Sequence, residues 1–166
     1  MTVTLILVRH AKSDWGTAVA DRHRPLADRG IRQAPHTGRW VAEHVDGVDL
    51  AVVSVATRAR ATWELLAAHL DPAVRRTLSE KAYTFIGQDL ADVVADLPGS
   101  ARTVLLVGHN PALEELIEIA TGRSVPMPTA AVAMLQLRSW RGVTDGNGTV
   151  LAAGRPADDQ WTVQGP

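Results

Sequence analysis

The order of apolar runs in this chain predicts an α/β fold: a three-layer α/β/α sandwich on a mostly parallel sheet, with an antiparallel hairpin at the C-terminal side. Three observations predict it. Short apolar runs alternate with stretches of helical period, as when crossover helices join parallel strands. The last two runs are instead separated only by the turn-rich Thr144-Asp145-Gly146-Asn147-Gly148, which suits a hairpin. The chain has 166 residues, 46% of them apolar, which is enough for one substantial core and short for two domains.

The first strand is expected at Val3 to Val8, because Leu5-Ile6-Leu7-Val8 is apolar on both faces, as a buried parallel strand requires. A helix follows from Asp28 to about His44, and Pro35 should bend it or fall near its first turns. Leu50 to Ser54 reads as the second strand and Thr57 to Leu70 as the second helix. A short strand around Arg75 to Leu78, a helix from Asp89 to Leu97 and a strand from Thr103 to Val107 come next. The fourth helix has the clearest start, with Asn110 as cap and Pro111 at the first helical position, and should end near Gly122. Val132 to Trp140 and Thr149 to Ala153 form the hairpin. Residues 1–154 then make a single domain. The polar, Pro- and Gly-containing segment 155–166 reads as a mobile tail that Trp161 could pin to the body.

Composition removes several classes of function. Charged residues are 21% and the formal net charge is −1, so there is no electrostatic footprint for nucleic acid. No apolar stretch approaches a membrane span, and the start of the chain lacks a basic segment followed by a cleavable apolar one, so a soluble, cytoplasmic protein is expected. Cysteine is absent, which excludes disulfides, thiolate zinc and a catalytic thiolate together. The six histidines show no His-x3-His pair, so no metal is expected. A monomer is expected, since no amphipathic helix is left over.

The chemistry collects at strand ends, where ligands of open parallel sheets bind. The first strand delivers Arg9 and His10, a permanent cation beside an imidazole able to attack phosphorus. The second delivers Ser54 and then Arg58 in the first turn of the next helix. The strand Thr103 to Val107 delivers Gly108 and His109, just ahead of Asn110. Meeting at one point, two guanidinium groups, two imidazoles and a helix N-terminus would make a dianion site. His10 would attack through Nε2 while its other nitrogen donates to a backbone carbonyl. Arg9, Arg58 and His109 would neutralise the phosphoryl oxygens. Lys12 and Ser13 lie close enough in sequence to touch the phosphate or its carrier, or else are plain loop residues. Trp15 reads as a substrate-facing rim, and Trp40 and Trp63 as core.

Leu7-Val8-Arg9-His10-Ala11, Arg24-Pro25-Leu26 with Arg29-Gly30, Ser54 with Arg58-Ala59 and Thr62, and Val107-Gly108-His109-Asn110-Pro111 together resemble the histidine phosphatase superfamily, whose fold is phosphoglycerate mutase-like. The nearest likeness is to its small SixA-type phosphohistidine phosphatases. The resemblance implies His10 as the phosphorylated nucleophile, with Arg9, Arg58 and His109 holding the phosphoryl group, and neither metal nor organic cofactor. Val55 stands where relatives commonly have proline, and Ala11 where the commonest motif has glycine. The glutamate that donates a proton in larger relatives has no recognisable counterpart. Glu80, beyond the strand ending at Leu78, is the first candidate for that acid, and Asp21 the second.

An uncertain acid bears on the substrate, because an imidazole leaving a phosphoramidate needs less proton help than an alkoxide. Only a short loop separates Lys12 from Arg24, so the site is expected to be open. The expected activity is hydrolysis of protein phosphohistidine or another activated phosphate. The alternatives are a phosphatase or mutase acting on a small phosphorylated metabolite, and a module that binds a phosphorylated partner without turnover.

Overall fold

A computed structural model describes residues 1–164. Seven strands, β1 (Val3–Arg9), β2 (Leu50–Ser54), β3 (Arg75–Ser79), β4 (Thr103–Gly108), β5 (Val132–Leu137), β6 (Thr149–Arg155) and β7 (Gln160–Val163), form one sheet in the order β3-β2-β4-β1-β5-β6-β7. The pairs β1/β4, β2/β4 and β2/β3 are parallel, while β1/β5, β5/β6 and β6/β7 are antiparallel.

The helices are α1 (Asp28–His44), α2 (Thr57–Ala67), α3 (Gly87–Ala95) and α4 (Ala112–Thr121). Alternation along β1 sorts them into two layers. Leu5 and Leu7 enter a core with Leu90, Val94, Leu113 and Ile117 of α3 and α4, whereas Ile6 and Val8 enter another with Trp40, Val41, Trp63 and Leu66 of α1 and α2. Trp40 and Trp63 are thus core residues.

Several boundaries differ from those expected. α1 runs unbroken through Pro35; the carbonyl that loses its partner belongs to Ile31, whose residue is half-exposed. α2 stops at Ala67, after which the chain tightens through short bonds from His69 to Leu66 and from Leu70 to Ala67. α4 begins at Ala112 with Pro111 as its cap, because the Asn110 side chain is turned to Glu114 and the Met127 carbonyl. Its end at Gly122, in the left-handed conformation, is where the sequence places it.

The expected mobile tail is corrected. After β6 a short turn at Pro156–Asp158 and the left-handed Asp159 reverse the chain into β7, which pairs with β6 and adds a strand to the sheet. Trp161 packs on Trp40 at 5.3 Å between ring centroids, and this contact fixes the segment. Residues 165–166 of that tail lie outside the described residues.

The sheet order positions the site. β4 lies between β1 and β2, and its register sets Gly108 opposite Arg9 and Val107 opposite Val53. The C-terminal ends of these three strands are therefore side by side.

Candidate active site

His10 follows β1 and is 6% exposed. Its backbone N–H donates to the Gly108 carbonyl at the end of β4. Its ring Nδ1 lies 2.8 Å from the Ala11 carbonyl, an acceptor only, so Nδ1 carries the proton and Nε2 keeps its lone pair. The Ala11 N–H donates to Thr62 Oγ1, and that hydroxyl donates to the Arg58 carbonyl, so α2 and the nucleophile segment are tied together. Burial pushes the His10 ring down to about 3; the Ala11 bond opposes this, and His109, Arg58 and Arg9 add to it. The imidazole is neutral at pH 7.

Arg58, in the first turn of α2, is 1% exposed. Its Nε donates to His10 Nε2 at 3.3 Å, and its terminal nitrogens donate to the Asp21 carbonyl at 2.7 Å and to Asp21 Oδ2 at 3.1 Å. His109, beyond β4, has Nε2 2.7 Å from Ser54 Oγ at the end of β2. Its Nδ1 is buried with no partner among the described residues. Its ring centroid is 5.2 Å from that of His10, and burial, then the charge of Arg58, push it down to about 3 despite Asp21. Arg9 donates to the Met127 carbonyl at 3.0 Å, leaving Nε unpartnered among the described residues. The four residues read from three strand ends thus meet in one place.

Three of them, Arg9, His10 and Arg58, line a cavity of about 260 Å³ together with Lys12, Ser13, Asn110, Asp21 and Arg24, and His109 packs against the lining residues His10 and Phe85. Lys12, Ser13 and Asn110 are therefore at the site, but not all free to bind. Ser13 is buried and accepts from Arg24 Nε, and Asn110 Nδ2 is shared between Glu114 and Met127. Larger hollows of about 820 and 460 Å³ lie beside β3 and behind Arg9. Neither is lined by His10. Among the described residues no cluster of His, Asp and Glu could hold a metal ion, and no helix is long and apolar enough to cross a membrane.

The two candidate acids separate. Glu80 is turned away from the cavity into a 2.6 Å ion pair with Arg22, and this bond holds its carboxyl below the usual range. Asp21 does line the cavity. Its carboxylate takes Arg24 at 3.1 Å, Arg58 at 3.1 Å and the Tyr83 hydroxyl. Burial pushes Asp21 up, but the bonds from Tyr83 and Arg58 and the charges of Arg58 and Arg24 outweigh it and hold the group below the carboxylate range. Both carboxyls are ionised at pH 7.

Sequence reasoning missed Arg24 as a site residue. It is 7% exposed, bonded to Ser13 and Asp21, and stacked 3.6 Å above the Trp15 ring. Two signals were available: its place in the Arg24-Pro25-Leu26 motif, and Asp21 three residues upstream, an ion-pair spacing in a tight turn. Tyr83 and Phe85, which pack their rings on His109, gave no signal. Gly30 matters for approach: a Cβ there would run into the Lys12 carbonyl, so only glycine lets α1 press against the segment carrying the nucleophile.

Comparison with known proteins agrees with this geometry. The family model described as the histidine phosphatase superfamily, branch 1, matches residues 5–98. An uncharacterised protein of Mycobacterium tuberculosis is 31% identical over 151 residues, covering 84% of this chain and 93% of its own. A candidate phosphohistidine phosphatase SixA from Nakamurella multipartitia superposes with a TM-score of 0.80 at 26% identity, over 94% of this chain and 97% of that one. The protein histidine phosphatase SixA complexed with tungstate shares the fold, with a TM-score of 0.78 at 22% identity over 94% of this chain and 99% of its own.

Proposed function

The chain belongs to the histidine phosphatase superfamily, and from that premise we propose that it hydrolyses phosphoryl groups through a covalent phosphohistidine at His10, with protein phosphohistidine or another activated phosphate as substrate. One observation carries this reading. The His10 ring is buried and neutral, its Nδ1 is held by the Ala11 carbonyl, and its Nε2 stands beside the Arg58 guanidinium.

The reaction has two half-steps. The Nε2 lone pair of His10 forms a bond to phosphorus as the bond to the leaving group breaks, and that electron pair stays with the leaving group. A water oxygen then bonds to phosphorus, the P–N bond returns its pair to Nε2, and inorganic phosphate departs as the monoanion carrying both of the water's protons. Arg9, Arg58 and His109, whose Nδ1 has no partner among the described residues, would donate to the phosphoryl oxygens as charge shifts.

The state of the acids supports the substrate class. An alkoxide must take up a proton as it leaves. Glu80 faces Arg22, and Asp21 is held ionised by three donors, so neither is a proton donor at pH 7. An imidazole with a proton already on its other nitrogen leaves as a neutral molecule and needs none. The likeness to proteins described as SixA phosphohistidine phosphatases supports the same choice.

The test is the dependence of rate on the leaving group. Across phosphoramidate, a series of aryl phosphates and phosphorylated sugars, kcat/KM should fall steeply as the leaving group becomes more basic. Acid-labile phosphate should appear on His10 in a rapid quench and vanish in His10→Ala. Equal or better turnover of sugar phosphates and glycerates would overturn the substrate assignment, and full activity in His10→Ala would overturn the mechanism.

A further inference from the structure

The exposed apolar surface of this chain is concentrated around the phosphoryl pocket. Among the described residues seven large apolar side chains are exposed, and four of them, Trp15, Val19, Phe85 and Ile86, lie on the two segments at its mouth. Trp15 is 72% exposed and Ile86 57%. The two segments are laced together by the Tyr83–Asp21 hydrogen bond and the Arg22–Glu80 ion pair, so the apolar groups sit on a shared frame. Arg24 fixes the Trp15 ring from one side, and Phe85 packs on Tyr83 and His109. Aromatic groups already held in place lose little entropy on binding, and an exposed apolar patch bordered by polar residues marks a protein contact.

A free metabolite gives no account of Val19 and Ile86, which stand outside the cavity lining. A protein bringing a phosphorylated side chain to His10 must cover the ground next to the mouth. Resting on the reading of this pocket as a phosphohistidine phosphatase site, we propose that Trp15, Val19, Phe85 and Ile86 are the docking surface for a protein that presents its phosphorylated side chain from an apolar patch.

The test separates docking from turnover. In a His10→Ala background, a bacterial phosphocarrier protein charged with phosphohistidine is titrated by calorimetry, with orthovanadate as a small-anion control. Adding Val19→Ser and Ile86→Ser should weaken binding of the phosphoprotein on the order of tenfold or more and leave orthovanadate binding within about twofold, as expected for surface changes outside the pocket. Equal losses for both ligands, no loss for either, or no phosphoprotein binding by the parent would overturn the proposal. Self-association of the parent that the two serines abolish would overturn it too, by making the surface an interface between copies. Turnover of phosphoramidate by the wild type is measured separately, and its absence would strike the catalytic reading instead.

Discussion

Acidification should destabilise this protein well above the range where carboxylates titrate, because its site keeps two imidazoles neutral. His10 and His109 are both pushed down to about 3, first of all by burial. In the unfolded chain each would titrate near 6.5. Between about 6.5 and 3 the unfolded state therefore binds more protons than the folded one, and stability falls as pH falls through that window. Each group costs up to ~1.4 kcal/mol per pH unit, or about 2 kcal/mol at pH 5, and the pair about 4 kcal/mol. That is a large share of the roughly 5–15 kcal/mol that holds a domain folded. The result does not depend on the folded value, provided it stays below about 4. Asp21, Asp49 and Glu80 are held low in the folded state, so their contribution is complete above about 5 and is lost only as pH falls further. Urea unfolding at pH 7, 6 and 5 would compare the wild type with the double variant His10→Asn, His109→Gln. Asparagine can still donate to the Ala11 carbonyl, and glutamine can still reach Ser54. The wild type should lose about 4 kcal/mol more than the variant between pH 7 and 5. Parallel stability curves would refute the claim that these rings are neutral and desolvated.

Arg58→Lys keeps the charge but removes the fork that bonds His10 and Asp21 at once, so kcat/KM on phosphoramidate should fall about 100- to 1,000-fold with the fold intact by circular dichroism. A loss under fivefold would show that charge alone suffices. Glu80→Gln should keep activity within about twofold, since only Arg22 holds it at the surface, while Asp21→Asn should lower it by about tenfold by loosening Arg58 and Arg24. The reverse order in steady-state assays would restore Glu80 as the acid. Gly30→Ala should destabilise by about 1–3 kcal/mol in urea titrations through its collision with the Lys12 carbonyl. An unchanged midpoint would mean that the Lys12 segment yields freely.

What could be read in the sequence were groups that end apolar strands, because such a strand carries its own boundary and the residue after it has a defined place in the fold. Arg9, His10, Ser54 and His109 all follow buried runs, and Arg58 opens the helix after one. Glu80 was favoured as the acid by the same reasoning and does not reach the cavity, for a reason the sequence does not carry. A sequence shows that a strand ends, not where that strand stands in the sheet. β3 lies at the edge, beyond β2, so its end projects past the pocket that β2, β4 and β1 enclose. Asp21 and Arg24 sit in a segment whose regular structure is a single short turn, where no periodicity marks a functional side chain. β7 was missed because the polar, Pro- and Gly-containing segment read as a mobile tail, although Trp161 and Val163 keep the period-two pattern of a half-buried strand. The same edge position that takes Glu80 away from phosphorus brings it to Arg22, and that pair helps to hold the loop containing Asp21 over Arg58. Replacement of Glu80 should therefore be felt in loop order before it is felt in the chemical step.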